Sequence, residues 1–303
     1  TLFIDQRSYP LFAMLFGFGL MTMINRRIAR GTQTFLASLP GIESGREPTP
    51  QEEAWARGHV LLVTNTEGNA RAEERAISMM LQYNVRGILY SRWYHHEVRV
   101  PPSLGEAPSV LVNCFDEASA ALAVVPDEVA GGRAAAQLLL DAGHTRIAMV
   151  NTTSHSPARS GRFAGYKAAL EEAGVTFDPG LVLEAQPDQE GGFACVDALL
   201  ATGVTGVCCH NDRMAMGLYD ALRERDVSVP GDLSVVGFDN QEVIAGHLHP
   251  PLSTVALPHY ELGAAGVRAL LGEADIPDDG RLVLPCPRGA ARVRGGAALR
   301  PGR

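Results

Sequence analysis

The sequence predicts an α/β protein built on parallel sheet with helices on both faces, and three observations predict it. Short uninterrupted apolar runs such as "HVLLV", "RIAMV" and "LSVVGF" recur along the chain, as expected of strands buried on both faces. Segments with apolar residues at helical spacing alternate with them, and glycines such as Gly143 and Gly174 stop two of these, a common helix C-terminal signal. Strand–helix alternation sustained over this length implies parallel pairing, because each helix carries the chain back to begin the next strand in the same direction.

The bulk numbers agree. A chain of 303 residues holds one large α/β domain or two smaller ones, and 46% hydrophobic with 20% charged residues suffices for a real core. The net charge of −8 argues against this body gripping phosphates by itself, since nucleic-acid affinity rests largely on Lys and Arg. The cysteines at 114, 195, 208, 209 and 286 are odd in number and form no CxxC pair. Buried, reduced thiols of a cytoplasmic protein are the expectation.

The elements follow in order. "PLFAMLFGFGLMTMI", residues 10–24, is uncharged but shorter than the roughly 18 residues of a membrane span, and no basic leader or A-x-A site marks a secretory signal. Two readings stay open for the atypical segment 1–33. Either "GFGLMTMIN" is the first strand, or "RSYPLFAMLFGFGLMTMINRRIARG", which resembles a piece of a bacterial multi-span membrane family, is foreign to the rest. "TFLASLPGIES" reads as a short helix and "GREPTPQEE" as a polar inserted loop. "HVLLVTNTEG" is a strand entering a turn, and "ARAEERAISMMLQYNV" a helix with Ala76, Met79 and Met80 at helical spacing. The strands "GILYS" and "APSVLVNCFD" come next. "DEVAGGRAAAQLLLDAGH" is then a helix, "RIAMVN" a strand, and "SGRFAGYKAALEEAGV" a helix with Phe163, Tyr166 and Leu170 on one face. "LVLEA", a helix over 191–201, "TGVCCH", a helix over 212–226 and "LSVVGFD" complete the series. The Arg-rich stretch 288–303 reads as a frayed terminus.

Enzyme signatures fail. "GFGLMT" lacks the third glycine of a dinucleotide fingerprint, no Walker loop is present, and "GIESG" has the wrong spacing for a nucleophile elbow. His95-His96-Glu97 has no second histidine at i+4 and reads as a solvated loop rather than a metal site. No catalytic activity, cofactor or metal is expected.

Binding is better supported. Ligands of open α/β sheets sit beyond the carboxyl ends of strands. Asn211 follows "TGVCCH" and Asp239 ends "LSVVGFD"; an amide and a carboxylate together suit vicinal hydroxyls. Asp212, where the next helix begins, reads as its N-cap.

"HNDRMAMGLYDALRERDVSVPGDLSVVGFDN", "PPLSTVALPHYELGAAGVRALL", "VPDEVAGGRAAAQLLLDAGHTRIAMVN" and "SGRFAGYKAALEEAGV" together resemble the core of the LacI/GalR family of bacterial transcription regulators, over about residues 34–296. The resemblance implies a fold of the periplasmic-binding-protein type I: two Rossmann-like parallel-sheet subdomains joined by three crossovers. The N-terminal subdomain would comprise 34–125 and 257–278, the C-terminal one 126–256 and 279–296, with 297–303 as a tail. It also implies lobes that close over a small effector, by default a sugar. Arg162, Asn211 and Asp239 would bind it from the C-terminal subdomain, and Asn113 from the other, with His259 near the third crossover. The stretch "QPDQ" before "EGGF" holds no aromatic to stack on a sugar face. Nothing in the sequence matches the family's helix-turn-helix or hinge helix. The expectation is therefore an effector-binding, homodimerising core in the cytoplasm, paired through helices after "VLLVTNTEG" and "VRGILYS". Operator DNA would be contacted only through a headpiece not found in these residues. The alternative is a periplasmic sugar-binding protein of a transporter, which shares the fold.

Overall fold

The computed structural model of the chain describes residues 18–24 and 48–288. The short helix expected over 34–44 and nearly all of the Arg-rich stretch lie outside the described residues. The chain divides into two compact units, residues up to Pro126 with His259–Leu284, and Asp127–Pro258 with the residues after Leu284. It therefore passes between them after Pro126, Pro258 and Leu284. The third passage was expected at 278. It falls later because the last strand, β11 (Arg281–Leu284), pairs with β5 (Leu122–Pro126) of the first unit, Leu282 opposite Val124.

The first unit holds a six-stranded sheet in the order β11-β5-β4-β3-β1-β2. β1 (Phe18–Ile24) runs antiparallel to both β2 (Val60–Asn65) and β3 (Gly87–Glu97), with Leu20 opposite Thr64 and Tyr90. The strand reading of that segment thus holds, but in the reverse direction to the other strands. β3, β4 (Ser109–Phe115), β5 and β11 are mutually parallel. Ile88, Tyr90 and Leu111 pack on Ala76, Ile77 and Met80 of α2 (Ala70–Gln82). Leu89, Val110 and Val112 pack on Ala54 of α1 (Pro50–Ala56) and on Leu262 and Ala265 of α9 (His259–Leu270). Alternation along each strand sends neighbours to opposite faces, and each face gets its own helical layer.

α1 corrects the inserted loop. Thr49 accepts the Glu52 N–H at 3.1 Å while the Glu52 carboxylate accepts the Thr49 N–H at 2.8 Å. This reciprocal capping box, with Pro50 in the first turn, starts a helix in a segment whose polarity suggested none.

The second unit is parallel throughout, in the order β10-β9-β8-β6-β7. Its strands are β6 (Ile147–Thr152), β7 (Val182–Ala185), β8 (Gly206–Cys209), β9 (Ser234–Asp239) and β10 (Ser253–Ala256). One face carries α3 (Glu128–Asp141) and α4 (Pro157–Glu172), whose Ala136, Leu139, Tyr166 and Leu170 pack on Ile147, Met149, Val236 and Phe238. The other carries α5 (Gln189–Ala194), α6 (Val196–Ala201) and α7 (Asp212–Glu224) over Ala148, Val150, Val207 and Val235. The helix expected over 191–201 is thus two, jointed at Cys195. A short helix, α8 (Glu242–Ala245), follows β9. All five cysteines are free, and all but the half-buried Cys195 are buried. Cys208 and Cys209 face opposite layers of the core.

Candidate functional site

After β6 the chain first adds β7 on one side and then β8 on the other, so the direction of winding reverses between β6 and β8. At such a reversal the loops leaving the two strands part and open a crevice at their carboxyl ends. Asn151 and Thr152 end β6, His210 and Asn211 follow β8, and Asp239 ends β9. Five polar side chains therefore stand on one rim.

Arg162 of α4 is its centre. Its Nε donates to Glu128 Oε2 at 2.8 Å, its Nη1 donates to the His210 carbonyl at 2.5 Å, and Asp239 Oδ1 stands 3.6 Å from Nη1. The guanidinium also lies on the Phe238 ring, 3.6 Å from its centroid, a cation–π contact strengthened by desolvation. Burial opposes the charge, but Glu128 and then Asp239 outweigh it and hold Arg162 charged. Asp239 reaches this position because the strand breaks sharply: Asp239 has φ 104° and Asn240 φ 53°. Non-glycine residues adopt such angles at a cost of about 1–3 kcal/mol each, a strain found most often at functional sites. Burial pushes the Asp239 carboxyl up to about 6, against the pull of Arg162.

A second carboxylate lies beneath. Asp212 is fully buried, its Oδ1 accepting from Thr254 Oγ1 and its Oδ2 from the Gln241 N–H, both at 2.7 Å. Desolvation, then the charge of Asp239, push it up to about 8. Gly237 leaves room for it, since a Cβ there would meet Asp212 Oδ1 at 2.2 Å. The N-cap of α7 is Asn211 rather than Asp212. Asn211 Oδ1 accepts the Met214 N–H at 2.9 Å, which leaves Asp212 in the first turn, turned toward β9 and β10. Asn211 Nδ2 donates to the Pro187 carbonyl at 3.0 Å, so one N–H and one lone pair remain to it for a ligand.

The remaining expectations fall in the first unit. Asn113 has φ 57° and sits opposite an irregularity in β3, where the pairing jumps from Ser91–Val112 to His96–Cys114. Its Nδ2 donates to the Arg92 and Trp93 carbonyls at 3.0 and 3.1 Å, pinning the bulge, while Oδ1 is buried without a partner among the described residues. This bulge lengthens β3 to Glu97, so His95-His96-Glu97 belongs to a strand rather than a loop, and His95 is buried. No group of three or more potential metal ligands occurs among the described residues. His259 opens α9 and is exposed.

Of the residues expected to bind an effector, the structure brings Arg162 and Asp239 together and sets Asn211 at the same rim. Sequence reasoning missed Glu128, Asn151, His210 and the role of Asp212. Glu128 reads locally as an ordinary acidic residue in a first helical turn, and His210 as the end of an apolar strand. Their significance comes from partners 34 and 59 residues away.

A family model described as a periplasmic binding protein-like domain matches residues 136–292. The ribose operon repressor of Haemophilus influenzae is 31% identical over 225 residues, 72% of this chain and 66% of the relative. The HTH-type transcriptional repressor PurR of Vibrio atlanticus is 30% identical over 259 residues, 82% of this chain and 73% of the relative. A LacI family transcriptional regulator from Enterococcus faecium, solved with bound ribose, superposes with a TM-score of 0.61 at 26% identity. That match covers 77% of this chain and 85% of the other. All three are transcription regulators rather than transport proteins or enzymes. The chain spans roughly two thirds to three quarters of the length of these two curated relatives.

Proposed function

Because the chain belongs to the LacI family of transcription regulators, we propose that it is the effector-binding core of one, and that the effector is a sugar, with ribose the first candidate. The observation that carries this is the Arg162–Asp239 pair at the strand ends of the second unit, 3.6 Å apart. A fixed cationic donor beside a carboxylate acceptor matches two adjacent hydroxyls, each of which can donate and accept. The spare N–H of Asn211 supplies a third contact. The choice of ribose follows the ribose operon repressor among the relatives and the ribose bound to the Enterococcus protein. The site is assigned no catalysis. Its charged groups are tied to one another, Arg162 to Glu128 and Asp239, and the relatives are transcription regulators. In the whole regulator, effector binding would change the affinity for operator DNA through differential contacts in two states.

Calorimetric titration of ribose, other pentoses, hexoses and purines into the purified chain tests the reading. Asp239→Asn keeps the shape and removes the charge, so the sugar should bind about tenfold or more weakly, since hydrogen bonds to charged groups contribute roughly 1.5–3 kcal/mol. Tight binding of a purine with no response to any sugar would replace the effector class. Sugar affinity untouched in Asp239→Asn would remove the site.

A further inference from the structure

We infer that His210 selects the effector by accepting a hydrogen bond: its Nε2 presents a lone pair, not a proton, to one hydroxyl of the bound sugar. The inference rests on the effector-binding reading above and adds to it a residue that fixes which hydroxyl pattern is accepted.

The direction of the bond is set by a relay that begins away from the rim. Asn151 Nδ2 donates to the Arg159 carbonyl at 3.1 Å, and Asn151 Oδ1 accepts the Thr152 N–H at 2.9 Å. Turning the amide over would set its NH2 against the Thr152 N–H and leave the Arg159 carbonyl without this donor. The amide therefore has one orientation. Its oxygen lies 3.1 Å from His210 Nδ1, and an oxygen acceptor there requires Nδ1 to carry the ring proton. The ring is neutral: burial, and then the charge of Arg162, drive its pKa down to about 3, with Glu128 pulling more weakly the other way. A neutral imidazole protonated at Nδ1 has a lone pair at Nε2. That atom makes no hydrogen bond among the described residues and is not sealed from solvent.

The ring is also held in place. The His210 N–H donates to the Val150 carbonyl at 2.8 Å and its carbonyl accepts from Arg162. His210 thus lies on the β6–β8 reversal, tied through its backbone to the arginine of the sugar site. A hydroxyl that donates to Nε2 is bonded, whereas hydrogen, a ketone or a methoxy group at the same carbon is not. A buried polar group built to pair with a ligand hydroxyl rejects the analogue lacking it far more strongly than an apolar pocket rejects a size change.

Two measurements on the full chain decide it. Long-range proton–nitrogen spectra of imidazole-labelled, ligand-free protein should show His210 neutral with the proton on Nδ1 at pH 7, and still so at pH 5. Ribose and its singly deoxygenated analogues are then titrated into wild type, His210→Ala and His210→Gln, with circular dichroism melts confirming that each variant folds. His210→Ala should weaken ribose about tenfold, and one deoxy analogue, lacking the hydroxyl read by Nε2, should bind wild type and His210→Ala equally. His210→Gln, whose amide can turn either way, should recover part of the ribose affinity and tolerate a methoxy group at that carbon. A proton on Nε2, an imidazolium at pH 7, or an equal loss for ribose and every analogue in His210→Ala overturns the inference while ribose binding by wild type leaves the effector reading standing. If no sugar binds wild type, the effector reading falls and takes this selectivity with it, whatever the tautomer.

Discussion

At the scale of residues, two carboxyls shape the second unit. Asp212 and Asp239 are raised to about 8 and about 6, whereas the unfolded chain releases these protons near pH 4. Between those values the folded state binds more protons than the unfolded one, so stability falls as pH rises. The loss begins near pH 4, and the part due to Asp212 continues to about pH 8. Asp212→Asn should therefore flatten the dependence of Tm on pH across this range, measured by thermal melts at half-unit steps. An unchanged slope would show that Asp212 is ionised throughout. Asp212→Ala should instead destabilise at every pH by about 1–3 kcal/mol per unpaired group, since the Thr254 hydroxyl and Gln241 N–H lose their acceptor. The same residues show where sequence reading stops. Asn211 and Asp212 are adjacent and both suit an N-cap, so local pattern could not divide the roles. What divides them is Thr254, 42 residues downstream, together with the open backbone of Gly237.

At the scale of elements, backbone meets backbone where the helices cross. A Cβ on Gly165 of α4 would stand 1.9 Å from the Val129 carbonyl of α3, and one on Gly132 2.2 Å from the carbonyl of Arg162. On the opposite face, Gly192 and Gly217 bring α5 and α7 equally close, with imagined Cβ atoms 2.0 Å from the Met214 carbonyl and 1.9 Å from that of Gln189. Gly132 and Gly165 set the depth at which Arg162 is delivered beside Glu128. Gly165→Ala should cost at least about 1–3 kcal/mol by overpacking and weaken sugar binding as well, because Arg162 moves with its helix. Urea denaturation against an Ala control at exposed Lys167 reads the first effect, and calorimetry the second. Intact stability would mean that the helices separate at no cost. The helices themselves were legible, since α3 and α4 end at the expected Gly143 and Gly174. The strands β6 and β9 were legible as apolar runs. β5, β10 and β11 were not read as strands although they are no shorter than β7 and β8, which were; β5 and β10 run through Pro126 and Pro258 almost directly into α3 and α9, and the helical pattern masks them. α1 was hidden differently, its capping box being made of the polar residues that mark loops.

At the scale of the whole molecule, the first unit exposes Met79 on α2 and Tyr83 just after it. We expect a second copy to cover this apolar surface, so light scattering at micromolar concentration should give twice the monomer mass. Tyr83→Glu with Met79→Glu should return the monomer, as charge at the centre of an interface is strongly disfavoured. No helix among the described residues is long and apolar enough to cross a membrane. The three passages of the chain between the units also impose an order of assembly. All five strands of the second unit lie within one continuous stretch, Asp127–Pro258, so that unit can close soon after its last strand leaves the ribosome. The first unit is begun earlier and finished later. Its sheet awaits β11 and the face that carries Leu89 awaits α9, both synthesised after the whole of β6–β10. During translation its early strands must wait with Leu89, Val110 and Val112 covered only by α1, an exposure that favours aggregation or chaperone capture. A chain stopped after Pro258 should accordingly keep a protease-resistant second unit while its first 126 residues are digested, and one extended to Leu284 should protect both.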